Sequence, residues 1–203
     1  MSITLHKEDL PSGLSFGEAV AVDTETMGLN PLRDRLCLVQ LSAGDGTAHL
    51  VQFSGKSYSA PNLSALMANP KVVKIFHFAR FDIATLKHHL GVDCASLYCT
   101  KIASKLARTY TDDHSLRGVC RDLLGVEISK QQQSSDWGAA ELTSEQLSYA
   151  ASDVYYLHKL RAQLEIKLKR EGRAELARKC FDFLPARAAL DLAGWAQTDI
   201  FEH

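Results

Sequence analysis

The run AVDTETMGL, from Ala21 to Leu29, sets Asp23 and Glu25 two positions apart at the end of a short apolar stretch. Side chains alternate along a β-strand, so the two carboxylates share one face while Thr24 points to the other. Like charges this close disfavour ionisation unless something neutralises them, and Mg²⁺ or Mn²⁺ is the usual oxygen-seeking partner of such a pair. An isolated Asp-x-Glu is also found on ordinary solvated strands, so a metal reading requires further acids.

Two more candidates stand downstream. Asp82 falls in KIFHFARFDIATL, in the first turn of a helix that follows an apolar strand. Open α/β sheets hold ligands at the carboxyl ends of their strands, although an acid there also complements the positive end of the helix without any metal. Tyr149 and Asp153, in LSYAASDVYYLHKL, are four residues apart on one helical face. Asp153 sits among Ala150, Ala151, Val154 and Leu157, where an uncompensated carboxylate is expensive and a metal ion would compensate it. A phenol one turn away is placed to position a water.

The elements that must carry these residues read as an α/β fold with a mixed central sheet flanked by helices. Strands over 19–23, 35–42 and 47–53 form an antiparallel meander. A helix over 60–69 ends at Asn69-Pro70, a strand over 71–76 follows, and a helix over 79–90 closes at Gly91. Helices near 99–109 and 113–124 precede a polar loop. A long helix then starts at the Thr143 to Gln146 capping box and runs to about Gly172.

With 203 residues and no linker, repeat or low-complexity tract, the expectation is a single domain over 1–203. A formal charge of −1 excludes the global basic footprint of a strong duplex binder, so a nucleic-acid partner must be short or held locally. Five cysteines without a C-x-x-C pair indicate reduced thiols and a cytoplasmic location. No leader pattern or apolar run of membrane-spanning length is present, so no membrane partner is expected. Seven basic residues between Arg161 and Lys179 alternate with Glu165, Glu171 and Glu175, which reads as a salt-bridged solvated face. The apolar tail residues Phe183, Leu190, Leu192, Trp195 and Phe201 need a cover, from this chain or from a neighbouring subunit.

Asp23-x-Glu25, Asp82 and Tyr149-x-x-x-Asp153, in this order, resemble the three motifs of the DEDD exonucleases in their tyrosine-containing branch, DEDDy. The segment Lys130-x-Gln132-x-x-Ser135-Asp136-Trp137 extends the similarity to ribonuclease D. FHFARFDIA and the ending TDIF look like the nanoRNase C group within it. The resemblance implies a ribonuclease H-like fold and a 3′-to-5′ exoribonuclease that releases nucleoside 5′-monophosphates from very short RNAs, dinucleotides above all. It implies two divalent ions, with Asp23 bridging both, Glu25 and Asp153 on the ion that activates water, Asp82 on the second, and Tyr149 orienting the water.

No additional helical nucleic-acid-binding domain is expected, which disfavours long structured substrates. An octameric ring is the assembly the resemblance implies. Leu29 resembles an apolar wedge between the last two bases, or is an ordinary staple; Thr26 and His77 adjoin the acids and are candidates for the terminal sugar or base. Lys130, Gln132 and Arg108 are candidates for phosphate contact. The alternatives are a broader exonuclease acting on longer RNA, tRNA ends or DNA, and an inactive scaffold that keeps the fold.

Overall fold

Strand β3 (Leu36–Ser42) is buried along its whole length, as expected of a near-continuous apolar run at the centre of a sheet covered on both faces. It pairs antiparallel with β2 (Ala19–Thr26) on one side and with β4 (Thr47–Gln52) on the other, the meander predicted from the sequence. The computed structural model describes residues 1–203 except Lys56 and Lys130, so the prediction for Lys130 lies outside the described residues.

The sheet has six strands in the order β1-β4-β3-β2-β5-β6. β1 (Ser2–Lys7) runs parallel to β4; β5 (Val73–Phe76) lies parallel to both β2 and β6 (Leu97–Cys99). The fold is therefore the predicted mixed-sheet α/β domain. The two outermost strands were not anticipated: β1 is largely exposed and β6 has three residues, so neither shows a clear alternating pattern.

Seven α-helices flank the sheet among the described residues: α1 (Pro61–Ala68), α2 (Ala79–Leu90), α3 (Thr100–Ala107), α4 (Leu116–Leu124), α5 (Ser144–Tyr155), α6 (Leu157–Arg170) and α7 (Ala174–Leu190). Gly91 closes α2 in the left-handed conformation, φ 66°, where glycine carries no Cβ penalty. The Thr143/Gln146 capping box opens α5 as predicted.

The single long helix expected from Thr143 to Gly172 is instead two. Tyr156, at φ −101° and ψ −8°, breaks it. Across the break the packing changes: α5 lies on β2, β3 and β4, whereas α6 packs chiefly on α3 and α4 and still reaches β2 and β5. Beyond α7, a turn of π-helix at Asp191–Trp195 is tied back by Arg80 and Arg187, which both grip the Asp191 carboxylate. Leu192 packs on the core, whereas Phe183, Trp195 and Phe201 remain exposed. The basic stretch forms the predicted solvated face, with Arg161–Glu165, Arg170–Glu171 and Arg178–Glu175 pairs.

Candidate active site

β2 outruns its parallel neighbour. Pairing with β5 ends at Ala21/Ile75, while β2 continues to Thr26, so its last residues overhang a gap at the carboxyl ends of both strands. Strand alternation then distributes the contacts. The carboxyl oxygens of Asp23, Glu25 and Asp153 lie within 4.8 Å of one another, which sets Asp153 of α5 over the face that Asp23 and Glu25 share. Thr24, pointing the other way, donates from Oγ1 to Oδ1 of Asp82 at 2.7 Å and so fixes the acid of α2. Asp82 is almost fully buried and stands outside the close trio.

Among the described residues, none of these four acids is ion-paired with a basic side chain. Burial pushes Asp23 up to about 7, against a backbone hydrogen bond at Thr24. Burial, followed by the charges of Asp23, Asp153 and Asp82, pushes Glu25 up to about 10. Asp82 is raised well above the carboxylate range by burial and by Asp23, and Asp153 by burial, Asp23 and Asp82. The donor set is all hard carboxylate oxygen, and its uncompensated charge suits a divalent cation such as Mg²⁺ or Mn²⁺.

Tyr149 lies one turn before Asp153. Its ring is 6.0 Å from that of Trp137, a side chain only 2 % exposed, and burial together with Asp153 raises the phenol above its usual range. The hydroxyl therefore keeps its proton at neutral pH, which suits a group that orients water better than one that deprotonates it.

These residues line a cleft of about 700 Å³, and Thr26, Leu29 and His77 belong to its wall. Thr26 Oγ1 donates to the Gly28 carbonyl and closes the turn after β2. A Cβ at Gly28 would stand 2.3 Å from Oδ2 of Asp34, itself held by Arg33 and the Asn30 N–H, so glycine is what lets this turn fold against Asp34. The turn presents Leu29 at the lip, 87 % exposed, so the alternative reading of Leu29 as a buried staple does not hold. His77 Nδ1 lies 2.8 Å from Thr100 Oγ1, and burial, aided by Lys101, pushes the imidazole down to about 3, so it is neutral.

Two predictions are corrected by position. Arg108 is fully buried; its guanidinium donates to Ser104 Oγ and the Asp113 carbonyl, each at 3.0 Å, and pairs with Asp122. It is consumed inside the protein and does not face the cleft. Gln132 accepts a hydrogen bond from Ser135 Oγ and lies outside the cleft wall, to which Gln133, Ser134 and Ser135 contribute instead.

The cleft also holds Phe78, Lys101, Arg117 and Trp137, which sequence reasoning did not assign. Trp137 and Phe78 carried a signal, the first through the segment shared with ribonuclease D and the second through FHFARFDIA. Lys101 stacks its ammonium 4.3 Å from the Phe78 ring, a juxtaposition that follows from the parallel pairing of Phe76 with Cys99 at the ends of β5 and β6.

Residues 6–169 match a family described as 3′-5′ exonuclease. The chain belongs to this family. Ribonuclease D of Acidiphilium cryptum is 35 % identical to this exonuclease domain over 156 residues, covering 77 % of this chain and 39 % of that protein. The chain thus spans about two fifths of the length of the curated ribonuclease D relatives it matches.

Among solved structures, Brucella melitensis NrnC with bound Mg²⁺ shares 54 % identity and a TM-score of 0.96 over the whole of both chains. The same protein bound to pGG shares 55 % identity and a TM-score of 0.97, covering 100 % of this chain and 99 % of that one. Escherichia coli RNase D, described as an exoribonuclease involved in structured RNA processing, gives a TM-score of 0.75 at 26 % identity, covering 84 % and 45 %. The resemblance to DEDDy, ribonuclease D-like and nanoRNase C proteins is borne out, as is the ribonuclease H-like fold of the exonuclease domain.

Proposed function

We propose that this exonuclease removes nucleoside 5′-monophosphates from the 3′ end of very short oligoribonucleotides, dinucleotides above all. The reading rests chiefly on the uncompensated trio Asp23, Glu25 and Asp153 at one cleft. It is supported by near end-to-end similarity to a protein solved with pGG. A cleft of about 700 Å³ falls in the range of pockets that enclose small ligands. Substrates this short need no additional helical nucleic-acid-binding domain.

Asp23, Glu25 and Asp153, with Asp82 behind them, would hold two divalent ions, Mg²⁺ or Mn²⁺. When bound, such ions polarise the scissile phosphate and lower the pKa of the attacking water. The chain's own residues supply the rest. Thr24 holds Asp82 in place, and Tyr149, neutral and braced by Trp137, orients the water. Leu29, exposed at the lip, wedges between the two bases and fixes the scissile bond over the acids. Thr26 and neutral His77 contact the terminal nucleoside, while Lys101 and Arg117 offer positive charge to the phosphates.

Phe183 and Phe201, whose rings lie 6.0 Å apart, and Trp195, all exposed along α7 and the tail, are assigned to contacts between copies in a ring of eight. All five cysteines are free, in keeping with the reducing cytoplasm. Among the described residues, no helix is long and apolar enough to cross a membrane.

The deciding experiment is a time course with Mg²⁺ or Mn²⁺ on 5′-labelled RNAs of two to about seven nucleotides, alongside Asp23→Ala. Turnover of the dinucleotide well ahead of the longer RNAs, lost in the variant, is the expected outcome. Equal trimming at every length, or of DNA, would mean a broader exonuclease; no metal-dependent cleavage would leave a scaffold.

A further inference from the structure

Gln40 of β3 stands directly opposite Asp23 in the β2–β3 ladder. Its side chain has no exposure to solvent. The carboxamide Nε2 donates to Asp23 Oδ2 over 3.4 Å, and Oε1 has no partner among the described residues. Around it, Leu38, Val39 and Leu41 are fully buried apolar residues of the same strand. Leaving one end of a buried carboxamide unpaired costs on the order of 1–3 kcal/mol, and an apolar side chain of the same volume would avoid that cost. Packing therefore gives no reason for a glutamine here. What it does touch is a carboxylate of the acidic trio.

We infer that Gln40 is a positioning residue for Asp23: its amide fixes the rotation of that carboxylate, so that the trio is arranged for a divalent cation before one arrives. At 3.4 Å the bond is long, and it orients the carboxylate without neutralising it. Partners of metal-ligating side chains act in this way, and their removal characteristically weakens metal binding by about 10- to 100-fold. The inference rests on the metal-dependent reading above and adds a residue to it.

The test is Gln40→Met in the full chain, which keeps the volume and removes both polar atoms. Gln40→Asn is made in parallel; it keeps the carboxamide but withdraws it by one methylene. Mn²⁺ affinity is measured by calorimetry, and the Mg²⁺ concentration for half-maximal cleavage of a dinucleotide is measured beside it. Both variants are expected to bind Mn²⁺ about tenfold or more weakly. The half-saturating Mg²⁺ should rise in proportion, with kcat recovering at high Mg²⁺ and KM for the dinucleotide unchanged.

In an Asp23→Asn background, adding Gln40→Met should cause little further loss of Mn²⁺ affinity, because the pair acts as a unit. Wild-type affinity in either single variant overturns the inference, as does an equal loss in both backgrounds. Failure of the wild-type protein to bind Mn²⁺ would instead overturn the metal-dependent reading itself.

Discussion

Two places in this molecule take charge out of water, and they resolve it in opposite ways. At Arg108 the fold supplies its own answer: a fully buried guanidinium meets Asp122, a serine hydroxyl and a backbone carbonyl. At Asp23, Glu25, Asp82 and Asp153 the fold supplies more negative charge and, among the described residues, no ion-paired basic side chain, so the carboxyls are driven toward protonation. A buried charge with an internal partner belongs to the architecture. A cluster without one is an electrostatic debt that a ligand must cancel.

Substitutions can break or sharpen this contrast. The largest effect is expected at Asp153→Asn, which should abolish metal-dependent turnover, a loss of at least about 10³-fold on the scale of key catalytic groups, while circular dichroism stays native. An active variant would remove Asp153 from the site. Arg108→Ala should do the reverse. It leaves Asp122 to Arg121 alone, strips Ser104 Oγ and the Asp113 carbonyl of a donor and opens a cavity, for a loss of about 2–4 kcal/mol in unfolding free energy. Any surviving folded fraction should keep the wild-type KM, and a raised KM with unchanged stability would restore Arg108 as a substrate contact.

A smaller effect follows from pH. Asp23 at about 7 and Glu25 at about 10 hold protons in the folded, metal-free protein that the unfolded chain has already released. The folded state then binds more protons, so stability falls as pH rises. Burial holds His6, His49, His77 and His158 below their usual range, and their stabilising contribution is already complete above pH ~7. Between pH ~7 and ~8.5 the Tm of the metal-free protein should therefore decline by a few degrees. Glu25→Gln or added Mg²⁺ should flatten that decline; a flat profile in the metal-free wild type would argue against the charge cluster.

The smallest change is expected at Leu29→Ala. The side chain is 87 % exposed, so stability should not move, whereas KM for a dinucleotide should rise several-fold through loss of an apolar contact worth about 1 kcal/mol. Unchanged KM would return Leu29 to the ordinary surface.

The same contrast explains what could be read from the chain in advance. The acids were legible because period-two alternation and the four-residue helical spacing fix which side chains share a face, whatever the tertiary context. Arg108 was misread because an arginine beside polar residues looks alike in sequence whether its partner is a phosphate or an aspartate fourteen residues away. Lys101 and Arg117 were missed because only tertiary structure, the β5–β6 pairing for Lys101 and the placement of α4 for Arg117, brings them to the cleft. Gln132 was misread because a loop without periodicity does not show which of its residues face the cleft. The helix break at Tyr156 has no glycine or proline to announce it; it falls where the packing passes from β2, β3 and β4 to α3 and α4.

The overhang of β2 carries a further consequence for how this chain tolerates change in length. One residue inserted or deleted between Ala19 and Asp23 would exchange the faces of Asp23, Thr24 and Glu25 at a stroke, and separate Asp23 and Glu25 from Asp153 and Thr24 from Asp82. The stretch between α4 and α5 lies under no such constraint. Side chains of other elements hold it instead: Arg35 donates to the Gly138 carbonyl, Gln52 to that of Ala139, Lys7 to that of Ala140 and Gln146 to that of Asp136, so a change in its length need not alter the faces of the acids. Chemistry here is written in register, and a loop without register can evolve, or be engineered, separately from it.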